Sequence, residues 1–334
     1  MNSRERMRTI VSLKTPDRCG FWLGMPKPET LDIYHKYFGT KTEEELRVKL
    51  GDDFRWIGAW GYKDPNGKGL WHIPNKTSHG SAGPLADIED ARDIERAYDW
   101  PNVDYIDYSA TIEALKNAGP YYRASGYWTS FYHNVMDLFG MEQYMMNMLL
   151  NPAVVHAVTD KVCQFYYDAN ERLFAEVGTL ADAYFFGNDF GTQLNLICGP
   201  KQFDEFIMPW FRRFTEQGHR HGYQVILHSC GSIYRVIERL IDAKVDCLHP
   251  LQAKAANMDA ETLAREFKGR IAFLGGIDTQ DLLVNGSPKQ VKADVRRVKK
   301  LLSPHLIVSP SHEAILPNVP PQNIAAMAEA VVES

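Results

Sequence analysis

The sequence has no long apolar segment and no long run of charges of one sign. No stretch approaches the roughly 20 apolar residues of a membrane-spanning helix, and residues 1–7 lack the apolar core of a signal peptide. The net charge of −5 comes from 37 basic and 42 acidic side chains spread along the chain, so nucleic acid and anionic membranes are poor partners. We therefore expect a cytoplasmic protein that binds neither.

The sequence also lacks the features of a disulfide framework and of a dinucleotide-binding fold. Its five cysteines are odd in number and show no disulfide spacing, which indicates thiols that are free or metal-bound. No Gly-x-Gly-x-x-Gly segment follows the first predicted strand. What is present is an ordinary globular composition, 45% hydrophobic and 24% charged, in a chain of 334 residues. A chain of this length buries a large core.

From about residue 120, apolar strand patterns alternate with helical patterns, which is typical of parallel βαβ units. The predicted strands lie at residues 19–24 and near residues 122, 184, 226, 247, 273 and 307. We expect an eighth strand in the aromatic-rich residues 52–82, and helices at 87–99 and 130–149. The prediction is an α/β protein with a (β/α)8 TIM barrel, a single domain over 1–334. In this prediction residues 1–118 are an N-terminal extension and aromatic-rich segment packed on the barrel.

One predicted strand, at residues 224–228, ends in the sequence His228-Ser229-Cys230-Gly231. Residues two apart in a strand point to the same face, so His228 and Cys230 can share one metal ion. Gly231 then allows the backbone to turn into the next helix. The alternative interpretation is a buried histidine and a buried cysteine at the end of a core strand, because cysteine is often only a small core residue.

The ends of the strands are where barrels of this kind carry their chemistry. The residues predicted there are Tyr127 and Trp128; Asn188, Asp189 and Gln193; His228 and Cys230; His249 and Gln252; Asp278; and His312 and Glu313. A mixed Cys/His site with an open position is typical of catalytic zinc. Such a zinc ion holds a thiol substrate as thiolate or acts as a Lewis acid on an oxygen. The alternatives are a turn residue for His249, a loop hydrogen bond for His312 and helix capping for Asp189 and Asp278.

Six segments resemble the uroporphyrinogen decarboxylase superfamily, and more closely its corrinoid-linked methyltransferase branch. The segments are Trp100-Pro101, Gly187-Asn188-Asp189-Phe190-Gly191-Thr192-Gln193, Pro200-Lys201-Gln202-Phe203-Asp204-Glu205-Phe206-Ile207-Met208-Pro209, His228-Ser229-Cys230-Gly231, Gly275-Gly276-Ile277-Asp278-Thr279-Gln280 and Pro320-Pro321-Gln322-Asn323-Ile324. They stand in the family's order over residues 85–330. The resemblance implies a (β/α)8 barrel with its site at the strand ends.

The same resemblance separates decarboxylases from methyltransferases. Decarboxylases of the family carry an arginine-rich segment after the first strand, but residues 21–27 contain no arginine here, so a polyacidic porphyrinogen lacks its partners. In the methyltransferase branch, His-x-Cys-Gly binds zinc together with a later cysteine, and this chain has His312 at that position. Either His312 replaces the thiolate, which zinc accepts, or the third ligand is gone and the site is metal-free or binds another metal. Glu313 and Gln252 are further oxygen donors.

The resemblance therefore implies an enzyme that moves a methyl group between a small methylated substrate and the corrinoid (cobalamin) of a partner protein. Loss of a thiolate favours a zinc ion that acts on an oxygen, which suggests O-demethylation of a methoxylated aromatic. His228, Cys230 and His312 would bind zinc. Asp189, Glu313 and Asn188 would be the catalytic residues, with Asp189 or Glu313 donating a proton or supporting a ligating histidine. Tyr127, Trp128, Gln193, Gln252 and His249 would bind substrate.

Two other functions stay open at this point. One is a metal-free lyase that acts on a small carboxylate, in which Asp189 stabilises a cationic intermediate. The other is a corrinoid-binding or tetrapyrrole-binding protein without catalysis. An oligomer is compatible with each of them. We expect the barrel mouth of a methyltransferase to be free of self-association, because it must admit a corrinoid domain.

Overall fold

The computed structural model describes residues 1–333. Eight parallel strands form one curved sheet in the order β1-β9-β8-β7-β6-β5-β4-β3, and β2 and β10 form a small parallel pair. The strands are β1 Gly20–Phe21, β2 Met25–Pro26, β3 Phe54–Ala59, β4 Tyr122–Tyr127, β5 Ala183–Gly187, β6 Gln224–His228, β7 Cys247–Leu251, β8 Ala272–Ile277, β9 Leu306–Pro310 and β10 Ala314–Ile315. The Asp53 N–H donates to the Phe21 carbonyl at 2.9 Å and links the two ends of the sheet. This confirms the predicted (β/α)8 TIM barrel.

Helices follow most of the barrel strands and cover the outside of the sheet. They are α1 Ser3–Val11, α2 Pro28–Phe38, α3 Glu43–Leu50, α4 Ile94–Ala97, α5 Ser109–Asn117, α6 Phe131–Phe139, α7 Met141–Leu150, α8 Pro152–Val177, α9 Pro200–Gln202, α10 Met208–Arg220, α11 Ile237–Asp242, α12 Ala260–Phe267, α13 Leu282–Asn285, α14 Pro288–Leu302 and α15 Pro321–Val332. Within residues 1–333, no helix combines the length and the apolar character that crossing a membrane requires.

The first third of the chain supplies two barrel strands, as predicted: β1 lies within residues 19–24 and the eighth strand, β3, within residues 52–82. The helix predicted at 87–99 is wrong in extent, because only residues 94–97 are α-helical after a short 3-10 turn. Ile94 is the one buried side chain of α4, so this charged segment has no apolar stripe to pack on the barrel.

The helix predicted at 130–149 is two helices, α6 and α7, separated by Gly140. Gly140 has a φ of 86°, which L side chains rarely adopt. A Cβ at this position would lie 2.7 Å from the Ser81 carbonyl oxygen, because the chain of the long β3–β4 connection passes directly over it. Gly140 and its close approach to that connection therefore mark the end of α6.

Helix α1 closes the N-terminal end of the barrel. Its buried side chains Met7, Ile10 and Val11 pack in one cluster with the inward-facing residues of the strands. Asp182 fixes the helix from below, since its fully buried carboxylate accepts hydrogen bonds from Arg4 and Arg8, both at 2.8 Å. With this end filled, the opposite end, where the strands finish, is the one available for a site.

We predict that Ile10→Ala lowers the free energy of unfolding by about 2–5 kcal/mol, because the cavity it leaves is enclosed by α1 and the barrel interior. The control is Leu149→Ala, whose side chain is 70% exposed and whose change we expect to stay within about 0.5 kcal/mol. Denaturation with urea measures both. Equal stabilities of the two variants would mean that α1 does not seal the barrel.

Candidate active site

The site is organised around the imidazole of His228, the last residue of β6. Strand pairing places His228 directly beside His249 of β7, and both side chains are buried. The two Nδ1 atoms are 3.0 Å apart. On the other side of the ring, Nε2 lies 3.2 Å from Asp189 Oδ1 and 3.5 Å from Cys230 Sγ. The ring therefore has an Nε2 side, with Asp189 and Cys230, and an Nδ1 side, with His249 and Glu313.

The Nε2 side is built by the ends of two neighbouring strands. Asp189 follows β5, and Cys230 lies two residues after His228 on the same face, as the strand period predicts. The Cys230 N–H donates to Asp189 Oδ1 at 2.9 Å, which fixes the carboxylate beneath the ring. Gly231 is required for the turn that follows, since it has a φ of 82° and a Cβ there would lie 2.3 Å from the Gly191 carbonyl oxygen.

The Nδ1 side is formed by β7 and by the loop after β9. Glu313 Oε2 lies 3.6 Å from His228 Nδ1 and 3.5 Å from His312 Nδ1. This oxygen is buried and has no hydrogen-bond partner, and the same is true of His249 Nε2. Two groups of candidate metal ligands result. One consists of Asp189, His228 and Cys230, and the other of His228, His249 and Glu313. Within each group the candidate ligand atoms lie within 4.8 Å of one another. Either group can hold a metal ion.

The charges of the site favour a positive charge on His228 itself. Burial acts to lower the pKa of His228, but the hydrogen bond to Asp189 and the charges of Cys230 and Glu313 outweigh it and hold the pKa well above its usual value. Burial acts to raise the pKa of Asp189, but His228 and the Cys230 N–H hold it well below its usual value. Burial and the neighbouring histidines lower the pKa of His249 well below its usual range, so His249 is neutral.

A group of three indoles, the tryptophan wall, stands beside His228 and consists of Trp56, Trp60 and Trp128. The Trp128 ring lies 5.6 Å from the His228 ring, and Trp56 lies 5.2 Å from Trp128. Trp60 packs 6.2 Å from Trp56 and is 62% exposed. Trp56 lies within β3, whereas Trp60 and Trp128 follow the ends of β3 and β4, and together they form an aromatic surface beside the metal-ligand candidates.

Three predicted residues lie around this centre without entering either group of ligands. Gln252 Oε1 accepts from the Gly231 N–H at 2.5 Å and from Gln193 at 3.4 Å, so these amides brace the turn after Cys230. His312 Nδ1 accepts from the Ala314 N–H at 3.1 Å. His312 and Gln252 line a separate cavity of about 530 Å³ beside the site.

Three residues predicted at the strand ends have other structural roles. The Tyr127 ring packs on the aromatic rings of α8, 6.2 Å from Phe165, and not in the barrel mouth. Asn188 is buried, accepts from the Tyr132 N–H at 2.8 Å and donates to the Thr129 carbonyl at 2.8 Å, so it fixes the loop after β4. Asp278 caps α13, since it accepts from the N–H groups of Gln280 and Leu282.

Sequence reasoning missed two residues near the centre. Trp22 lies inside the barrel with its ring 5.1 Å from the His249 ring, and its position could have been read from the alternation of Gly20, Trp22 and Gly24. His133, in the first turn of α6, is close enough to Asp189 for their charges to interact, and burial lowers the pKa of His133. The sequence carries no signal for His133, because only the fold brings α6 to the end of β5.

Comparison with protein families identifies the lineage of this barrel. The family model described as Uroporphyrinogen decarboxylase (URO-D) matches residues 84–334, which is more than half of the chain. The chain belongs to the uroporphyrinogen decarboxylase family. A methyltransferase from Methanosarcina mazei has a similar solved structure, with a TM-score of 0.66 over 99% of this chain and 98% of that chain, at 15% sequence identity. The comparison with curated proteins finds no match.

These comparisons confirm the family resemblance and the fold predicted from the sequence. The match to the uroporphyrinogen decarboxylase family spans every strand from β4 to β9 and both sides of the His228 ring. At 15% identity the likeness to the methyltransferase concerns the fold, so the chemistry of this member has to be argued from its own side chains.

We predict that Asn188→Ala lowers the free energy of unfolding by about 1–3 kcal/mol, because two buried backbone groups lose their partner. We also expect the folded variant to bind metal as well as the unsubstituted chain does, since the amide touches none of the ligand candidates. Thermal unfolding and elemental mass spectrometry measure the two effects. The control is Asn66→Ala in an exposed loop. Lost metal with unchanged stability would contradict a scaffold role for Asn188.

Proposed function

We propose that this protein is a methyltransferase that moves a methyl group between a methoxylated aromatic compound and the corrinoid of a separate protein, with a metal ion bound at His228. One observation carries the proposal: candidate metal ligands gathered around the buried His228 lie next to the tryptophan wall at the open end of the barrel. The similar fold of a methyltransferase supports it. So does the absence of arginine from residues 21–27, which leaves a polyacidic porphyrin precursor without partners.

The residues around His228 fit a divalent metal such as zinc. Zinc binds imidazole, thiolate and carboxylate, and catalytic sites use three protein ligands and leave one position open. Asp189 and Glu313 place two carboxylates around one imidazole, and Glu313 Oε2 is buried without a hydrogen-bond partner. A bound cation offsets the excess negative charge of these two carboxylates. When bound, such a metal acts as a Lewis acid on an ether oxygen.

The tryptophan wall would bind and orient the aromatic ring of the substrate. Stacked or edge-on contact between aromatic rings is worth about 0.5–1.5 kcal/mol beyond the buried area. Because Trp128 lies against His228, a ring held on this wall has its substituents close to the ligand candidates. Trp60 is exposed on the outer side of the wall, where a substrate ring can reach it.

Asp189 would position His228 and would not act as a proton donor. Its low pKa keeps it ionised at neutral pH, and it is held by His228 Nε2 and by the Cys230 N–H. Carboxylates in this position orient a metal-binding histidine in many sites. The leaving group is a phenolate, whose conjugate acid has a pKa of about 10, so no proton donor is essential. In this transfer the bond between oxygen and methyl carbon breaks, and the reduced corrinoid supplies the electron pair of the new bond.

A methyl-transfer assay tests the proposal. The zinc-loaded protein is mixed with cob(I)alamin and methoxyarenes such as methoxyphenols, and methylcobalamin is followed by its absorption spectrum. We expect His228→Ala to lower the rate at least about 100-fold, because the loss of a metal that stabilises the leaving oxygen costs several kcal/mol. Asn66→Ala is the control and keeps the rate of the unsubstituted chain. Carbon dioxide released from small carboxylates without any methyl transfer would replace this proposal with a lyase.

The role of the tryptophan wall has its own test. We predict that Trp60→Ala raises KM for methoxyarenes about 3–10-fold and leaves kcat nearly unchanged. The variant loses a stacking contact worth about 0.5–1.5 kcal/mol, and it loses this contact equally in the bound substrate and in the transition state. Trp60→Phe should recover part of the loss. Steady-state kinetics with a methoxyarene measures both variants. An unchanged KM in Trp60→Ala would show that the substrate ring binds elsewhere.

A further inference from the structure

We propose that the metal is bound on the Nδ1 side of His228, by His228, His249 and Glu313, and not by the His-x-Cys pair. This assignment deepens the proposed function, which needs a metal at His228 but does not depend on which ring nitrogen holds it. The two sides of the ring cannot be equivalent, because a ring nitrogen that carries a proton has no lone pair for a metal. The hydrogen bonds around the ring decide between them.

On the Nε2 side the polar atoms already have partners. Asp189 Oδ1 lies 3.2 Å from His228 Nε2 and accepts from the Cys230 N–H at 2.9 Å. The Nε2–H of His228 is therefore directed at a carboxylate. Metal-binding histidines commonly donate the N–H that faces away from the metal to a carboxylate in this way. A metal that replaces one proton of this ring would therefore take Nδ1, while the Nε2–H keeps its contact with Asp189. In this arrangement Cys230 contributes its backbone N–H to the orientation of Asp189, and its thiol is not a ligand.

On the Nδ1 side the two histidines share one hydrogen bond, but Glu313 Oε2 has no partner at all. His249 Nδ1 is 3.0 Å and Glu313 Oε2 is 3.6 Å from His228 Nδ1. Metal–ligand bonds of about 2.0–2.2 Å put neighbouring ligand atoms roughly 2.9–3.6 Å apart at octahedral and tetrahedral angles. Both distances fall within that range, and Glu313 Oε2 is buried with no hydrogen-bond partner. All three candidate ligand atoms lie within 4.8 Å of one another, and the unpartnered Glu313 Oε2 is what distinguishes this side from the Nε2 side.

The surroundings suit a catalytic metal. His249 is 1% exposed, and its ring centre lies 5.1 Å from that of Trp22 and 5.3 Å from that of Phe185. These aromatic contacts hold the His249 ring rigidly. Two histidines and one glutamate form a ligand set of known catalytic zinc sites, with a fourth position free for a substrate oxygen. This set needs no cysteine after β9. His312 accordingly turns its Nδ1 to the Ala314 N–H, outside both groups of ligand candidates.

Metal binding by matched variants tests the assignment without turnover. Chelator-treated protein is reloaded with Zn²⁺ or Co²⁺, and affinity is measured by competition with a chromogenic chelator, with circular dichroism as the check on folding. We expect Cys230→Ser and His312→Ala to keep about one metal per chain. Glu313→Gln and His249→Gln should lower the affinity at least about 100-fold. Asp189→Asn should lower it about 10–100-fold, as loss of a partner behind the ligating histidine does.

The Co²⁺ spectrum provides the decisive contrast between the two sides. We expect no thiolate-to-cobalt charge-transfer band in the Co²⁺-loaded protein. A band that disappears in Cys230→Ser, or loss of the metal in that variant while Glu313→Gln retains it, would overturn the assignment. Protein that takes up neither ion would overturn it as well. A metal bound by His249 and Glu313 without methyl transfer would disprove the proposed function alone, whereas methyl transfer with a Cys230-bound metal would disprove only the present assignment.

Discussion

The contact between His228 and His249 is the constraint on which the site depends. Parallel pairing of β6 and β7 puts the two residues opposite each other, and both side chains point into the barrel. Their Nδ1 atoms therefore meet at 3.0 Å in a buried place, where an unpaired polar atom is costly. The strand neighbours complete the arrangement, since Asp189 follows β5 and the loop after β9 brings in Glu313. A shift of one residue in any of these strands would turn the ligands out of the barrel.

The barrel divides its two ends between stability and chemistry. At the N-terminal end, α1 fills the opening with apolar side chains, and the buried Asp182 fixes it through Arg4 and Arg8. At the other end, polar side chains stand on rigid strands around a centre that keeps unsatisfied atoms, Glu313 Oε2 and His249 Nε2. Buried polar atoms without partners reduce stability, so their presence at this end agrees with a site built to bind a ligand.

Membership of the uroporphyrinogen decarboxylase family gives this chain its fold, and the proposed methyl transfer differs from decarboxylation of a porphyrin precursor. The mouth offers indole rings and candidate metal ligands, and residues 21–27 carry no arginine. Aromatic surfaces bind planar apolar rings, whereas polyacidic ligands need guanidinium groups. The same barrel can thus serve unrelated reactions, because only residues at the ends of its strands contact a substrate.

The sequence by itself determined the barrel and most of its strands, because the alternation of apolar strands and amphipathic helices is a local pattern. It also determined that His228 and Cys230 share a face, since that follows from the period of a strand. Only the tertiary structure decided what surrounds them. Residues distant in sequence, such as His249 and Glu313, meet His228 through strand pairing, while His312 turns to its own backbone. Periodicity gives the face on which a side chain lies, but the closing of the barrel decides which side chains become neighbours.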